Sequence, residues 1–166
     1  ELQKDEDLAR IIEEVQKYSG DKPVLVKIAP DLEDMQICSI VDTARNLGCA
    51  GIVATNTTIS RPDELGVMKE KGGLSGKPLA SRSTEVIRLI ADHTNGDWPI
   101  IGVGGISTAD DAWEKIINGA SLVQIYSAMV FEGASVIRKI VHGLERKLKA
   151  NNLTTLDEAV GLARKD

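Results

Sequence analysis

The sequence predicts an α/β fold whose strands run parallel. Short β-branched apolar runs alternate with segments whose apolar residues recur at helical spacing, and a strand that reaches the next through a helical crossover pairs with it in parallel. Four such strand–helix units occupy the 166 residues, whereas the eight units of a complete TIM (β/α)8 barrel need about 250. The expected architecture is therefore half of such a barrel. Its outer strands would be left with unpaired edges, which implies either that another half lies outside this chain or that two copies pair.

The elements follow in order. Leu8, Ile11, Ile12 and Val15 give one apolar face to a first helix that is already under way within residues 1–7 and stops at Ser19-Gly20-Asp21. A chain that opens inside an element is expected to be a piece of a longer one. Residues 24–29 form the first strand. Pro30-Asp31 then leads into a helix carrying Met35, Ile37, Ile40, Val41, Ala44 and Leu47, closed by Gly48. Residues 50–54 are the second strand. The segment 55–78 is rich in Thr, Gly, Pro and charge, and irregular stretches of that length tend to be functional. Val86, Ile87, Leu89 and Ile90 mark a third helix, and residues 99–103 the third strand. Ser107 or Thr108 caps the helix over 109–118, with Asp110 and Asp111 well placed in its first turn. Residues 122–125 are the fourth strand and 136–148 its helix, followed by a short terminal helix near 156–163. No fixed-period repeat or low-complexity linker divides the chain, so a single domain is expected.

Composition narrows the function. A chain 42% hydrophobic and 27% charged is ordinarily globular, and a formal charge of −5 with five aromatic residues argues against a nucleic-acid surface. Cys38 lies in a helical pattern and Cys49 beside a strand. Neither has a Cys-x-x-Cys or His partner nearby, so both read as reduced core thiols and no metal site is expected. His93 and His142 stand apart on helical patterns and read as surface or boundary residues. No signal peptide or transmembrane run is expected within these residues, because the longest apolar stretches are strand-sized.

Residues suited to chemistry sit where strands end. Gly102 lies near the end of the third strand, Gly104 and Gly105 follow it, and Tyr126-Ser127 opens a helix after the fourth. Backbone amides converging from a glycine turn and a helix start bind phosphate, and in β/α barrels this recurs after the last two strands. A dinucleotide fingerprint is a poor match because its third glycine is replaced by Ser107. Taken alone, Gly104-Gly105 reads equally well as a tight turn. Lys27 is a lone cation near the carboxyl end of an apolar strand, placed either to stabilise an anion in a low-dielectric pocket or to snorkel out at an edge. Thr55-Asn56-Thr57-Thr58 offers uncharged donors and acceptors to a planar polar ligand, or makes a turn. Gly72-Gly73-Leu74-Ser75-Gly76-Lys77-Pro78 is a candidate lid or backbone cradle; Ser75 has no histidine within that motif to activate it and is assigned no covalent role.

Together, Val26-Lys-Ile-Ala-Pro-Asp31, Thr55-Asn-Thr-Thr58, Gly72-Gly-Leu-Ser-Gly-Lys-Pro78, Ile100-Ile-Gly-Val-Gly-Gly-Ile106 and Gly119-Ala-Ser-Leu-Val-Gln-Ile-Tyr-Ser127 closely resemble, in this order, the C-terminal half of class 2 dihydroorotate dehydrogenases. The resemblance runs from about Lys22 to the end. It implies the second half of a TIM barrel, with residues 1–166 the C-terminal part of a single FMN-binding domain whose N-terminal half lies outside this chain. It also implies an oxidoreductase acting on a CH–CH bond, which oxidises dihydroorotate to orotate and passes electrons to quinone in pyrimidine (UMP) synthesis. By the same resemblance Lys27, Thr55, Gly76, Val103, Gly104, Gly105, Tyr126 and Ser127 contact FMN, and Asn56 and Thr57 hold the substrate. The family's serine base, its earlier-strand asparagines and its quinone-docking N-terminal helices match nothing in these residues, so no catalytic base is expected in this chain. Membrane association would come through that other region, at the mitochondrial inner membrane or, alternatively, a bacterial cytoplasmic membrane. Two other readings fit the residues without the resemblance: a phosphate-binding barrel isomerase or aldolase lacking flavin, and a non-catalytic half-barrel.

Overall fold

The apolar spacing of the first segment produces helix α1 (Asp5–Ser19), which packs on the rest of the chain through Leu8 and Ile12. The computed structural model describes residues 5–61 and 71–164; residues 1–4 of the expected first helix and 62–70 of the expected irregular segment lie outside them. Strands β1 (Leu25–Ile28), β2 (Gly51–Ala54), β3 (Ile100–Val103) and β4 (Leu122–Gln124) form one sheet in the order β1-β2-β3-β4, every pairing parallel. Between them run α2 (Asp34–Asn46), α3 (Ala80–His93) and α4 (Ala109–Ile117). After β4 come α5 (Ser127–Glu132), α6 (Ser135–Ala150) and α7 (Leu156–Ala159). The expected four parallel strand–helix units are all present.

Register explains which side is covered. Ile28 pairs with Ala54, Ala54 with Gly102 and Gly102 with Val123, so these residues share one face with Val26, Ile52 and Ile100. Under the helices, Ile28, Ile52, Ala54 and Ile100 are fully buried. They pack on Ile37, Ile40 and Val41 of α2 and on Val86, Ile87 and Ile90 of α3. A second cluster joins Ala112 and Ile116 of α4 to Val136, Ile140 and Leu144 of α6. The opposite sheet face carries Leu25, Lys27, Gly51, Val53, Ile101, Val103, Leu122 and Gln124; it is open on β1 and β4, with Leu122 63% exposed, while Gly51 and Val53 of β2 are buried.

Local chemistry sets the boundaries. The second helix starts later than Pro30-Asp31 suggests, because Glu33 and Gln36 form a capping box at its entry. Thr108 is the cap of α4: its hydroxyl accepts from the Asp111 amide while the Asp111 carboxylate takes both the Ser107 and Thr108 amides. The helix after β4 is two helices, since Gly133 at φ 71 ends α5 before α6 begins. The terminal helix is likewise broken, by Gly161 at φ 70, into α7 and a 3-10 turn at Leu162–Arg164.

Of the segment after β2, the described ends are pinned. Thr58 and Leu74 exchange backbone hydrogen bonds of 3.0 and 2.7 Å. Asp31 accepts from the Thr58 hydroxyl and the Ile59 amide, and Arg61 donates to the carbonyls of Thr58, Ser60 and Gly72. Cys49 is buried, its carbonyl accepting from the Trp98 indole, and Cys38 is half-buried. Both are free thiols, and burial pushes both pKa values up. His93 meets Asp42 at 2.8 Å and His142 is exposed, as residues at a boundary should be. Among the described residues no helix is long and apolar enough to cross a membrane.

The contact between α4 and α6 depends on a missing side chain. A Cβ at Gly143 would lie 2.1 Å from that of Ala109. Gly143→Ala gains helix propensity but overpacks this contact, so unfolding in urea should show a net loss of about 1–2 kcal/mol. Ala109→Gly added to that variant should recover part of it. A Gly143→Ala protein as stable as the parent contradicts the packing described.

Candidate functional site

Parallel pairing brings the carboxyl ends of all four strands to one edge, and a cleft of about 450 Å³ opens there. Its size is that of a small-molecule site. β1 supplies Lys27 and the end of β2 supplies Thr55, Asn56 and Thr57; Gly76 comes from the glycine loop. Val103, Gly104 and Gly105 come from the turn after β3, and Tyr126 and Ser127 from the junction of β4 with α5. All ten residues singled out in the sequence thus border one cleft.

Each is held by its neighbours. The Thr55 amide donates to the Val103 carbonyl at 2.8 Å and the Asn56 amide to the Ile28 carbonyl at 2.7 Å, which carries the sheet's pairing one step past its strands. The Ala54–Thr55 peptide bond is cis. Thr55 is buried and its hydroxyl turns to the Asn56 carbonyl, while the Asn56 side-chain oxygen accepts from the Thr57 amide. That leaves the Asn56 NH2 group without a partner among the described residues. Lys27 likewise makes no ion pair among them.

The turn after β3 requires glycine. Gly104 and Gly105 have φ of +127° and +69°, and a Cβ on Gly105 would fall 2.4 Å from the Cβ and 2.9 Å from the nitrogen of Ala80. The backbone therefore lies directly on the start of α3. Among the described residues the amides of Gly104, Gly105, Tyr126 and Ser127 donate to nothing, and Tyr126 provides no side-chain cap for α5. Orphan amides from a positive-φ turn and a helix start, facing one cleft, form an anion cradle.

Three features escaped the sequence reading. Ser75, assigned no covalent role, meets Ser127 hydroxyl to hydroxyl at 2.9 Å and ties the glycine loop to α5. Gln124, the last residue of β4, also lines the cleft. Lys115 of α4 is fully buried behind the glycine turn and donates to the Ala80 carbonyl and the Thr84 hydroxyl, both at 2.6 Å. Burial lowers its pKa to about 8, against opposing attraction from Asp111 and Glu114. In helical spacing Lys115 looks like any surface lysine, and no sequence signal marks it. For the Asp111 carboxyl, burial pushes upward but the amide and hydroxyl donors of Ser107 and Thr108 outweigh it and hold it below its usual range.

Fold and cleft together define a β/α-barrel protein whose candidate site lies at the carboxyl ends of its strands. Residues 1–148 match the family model described as dihydroorotate dehydrogenase. A protein named dihydroorotate dehydrogenase (quinone) from Trichodesmium erythraeum (strain IMS101) is 46% identical over 99% of this chain and 46% of its own length. One of the same name from Halobacterium salinarum (strain ATCC 29341 / DSM 671 / R1) is 46% identical over 97% of this chain and 46% of its own. The crystal structure of a DHODH from Eimeria tenella in complex with ferulenol superposes with a TM-score of 0.92 at 34% identity, covering 99% of this chain and 50% of that one. The chain belongs to the dihydroorotate dehydrogenase family. It spans about half the length of the relatives it matches.

The Lys115 pKa carries a sign that can be measured. Below pH 8 the lysine is protonated both folded and unfolded; between about 8 and its ordinary 10.5 the unfolded chain binds more proton, so stability rises with pH across that window and then levels off. Denaturation midpoints measured from pH 7 to 10.5 should show this rise in the parent and lose it in Lys115→Met. An identical pH dependence in both proteins contradicts the assignment.

Proposed function

We propose that residues 1–166 are the C-terminal part of a single FMN-binding β/α-barrel domain and hold the FMN-phosphate site and part of the substrate site of a class 2 dihydroorotate dehydrogenase. The activity is oxidation of dihydroorotate to orotate with quinone as electron acceptor, in pyrimidine (UMP) synthesis. The observation that carries this reading is the convergence of the open amides of Gly104, Gly105, Tyr126 and Ser127 with the unpaired Lys27 around one cleft.

The residues fit the cofactor. A doubly charged phosphate suits amides that donate to nothing else, in a turn too tight to admit a Cβ at Gly105. FMN, when bound, supplies the ring that accepts the hydride. Lys27, the third of the four residues of β1, would offer a cation to stabilise negative charge on that ring, with Thr55 and Val103 lining the same cleft. The Gly76 backbone and Ser127 would hold the polar chain leading to the phosphate. Asn56 and Thr57 would orient the substrate through uncharged donors and acceptors, with the free Asn56 NH2 suited to a carboxylate or carbonyl oxygen.

The proton-abstracting serine and the quinone-docking region are assigned to the N-terminal half of the barrel, outside these residues. Support comes from the exposed Leu25 and Leu122 on the two outer strands, which four further strands would cover as a barrel interior. Membrane association through that region remains part of the proposal. The bacterial and archaeal relatives are 46% identical to this chain and the Eimeria tenella protein 34%, which favours a cytoplasmic membrane over the mitochondrial inner membrane.

A visible spectrum of the purified protein tests the reading. Flavin absorption is the expected result, and in a protein that also carries the N-terminal barrel half this absorption should bleach when dihydroorotate is added under anaerobic conditions, about 100-fold or more slowly in Lys27→Ala. A colourless protein that takes up no FMN sinks the flavin reading and leaves a flavin-free phosphate site. The 166-residue polypeptide alone should not turn over dihydroorotate; measurable turnover contradicts the placement of the serine base outside it.

A further inference from the structure

Among the described residues Lys115 is the one charged side chain that is fully buried, and nothing in the proposed chemistry uses it. A buried ammonium persists where its donors are satisfied. Lys115 is not satisfied by an ion pair, although Asp111 and Glu114 stand on its own helix and Glu85 and Arg88 line the cavity beside it. Its Nζ goes instead to the Ala80 carbonyl and the Thr84 hydroxyl, and that hydroxyl itself donates to Ala80 at 3.1 Å.

Those bonds fall on the residue that backs the glycine turn. Ala80 opens α3, and Gly105 lies against it so closely that no side chain fits between them. The same turn of α3 is tied to the end of β3 through the Ser83 hydroxyl, which donates to the Val103 carbonyl at 2.7 Å. Ser83 thus anchors α3 to the strand before the turn, and Lys115 anchors it to the helix after the turn. The two ties clamp Gly104-Gly105 from both sides.

We propose that Lys115 is a positioning residue: by fixing Ala80 beneath Gly105 it keeps the Gly104 and Gly105 amides aimed into the cleft, where they hold a phosphate. The inference rests on the FMN reading above and adds to it a residue outside the cleft that sets preference for the phosphorylated ligand. A lysine that merely stabilised the fold would, when replaced, weaken every ligand alike. A positioning lysine affects only ligands that carry the phosphate.

The test compares dissociation constants of FMN and riboflavin, which lacks the phosphate, by flavin fluorescence on the purified protein. Wild type should prefer FMN strongly. In Lys115→Met that preference should fall at least tenfold with riboflavin binding little changed, while Ile40→Ala, which opens the distant core, should leave the preference intact. Thr84→Val removes one acceptor and should give a smaller fall; it also decides the matter if Lys115→Met does not fold. A wild-type protein that prefers FMN, with the preference unaltered in a folded Lys115→Met or in Thr84→Val, overturns the positioning role alone. A wild type that binds neither flavin overturns the FMN reading and this inference with it.

Discussion

Parallel pairing in register is the constraint on which everything else here depends. Because Lys27, Val53, Ile101 and Leu122 lie on one row and Ile28, Ala54, Gly102 and Val123 on the next, the loops after all four strands emerge at the same edge. Residues far apart in the chain, such as Lys27 and Tyr126, border one cleft for that reason. The helices serve the same arrangement. Their packing fully buries Ile28, Ile52, Ala54 and Ile100 on one sheet face and leaves the outer strands of the other face exposed.

The site is built chiefly from backbone. Four amides without partners among the described residues come from the turn after β3 and the start of α5, and side chains mostly place that backbone: Ser83 on the Val103 carbonyl, Lys115 on Ala80, Ser75 on Ser127. An anion bound this way needs little cationic help at the phosphate itself, which leaves Lys27 free for a different position on the ligand.

Much of this was legible in the residues. β-branched runs and helical periods located every strand, and Gly104-Gly105 announced a turn because only glycine tolerates those φ values beside Ala80. The ten residues that the resemblance singles out all border the cleft, nine of them at or just past strand ends and Gly76 from the glycine loop. What could not be read depends on contacts across the fold. Lys115 has the pattern of a solvated helix lysine, and its burial arises only when α3 and α4 pack. The Ser75–Ser127 contact spans 52 residues. The split between α5 and α6 turned on a glycine whose φ no pattern of apolar residues reveals.

The central claim is that the Gly104-Gly105 turn and the α5 start grip a phosphate. A crystal structure of the protein with FMN bound tests it most directly. The account predicts phosphate oxygens about 2.7–3.2 Å from the amide nitrogens of Gly105 and Ser127, with the ring lying toward Lys27. FMN bound with its phosphate elsewhere, for instance among Arg61, Lys71 and Lys77 on the far side of the glycine loop, would contradict it.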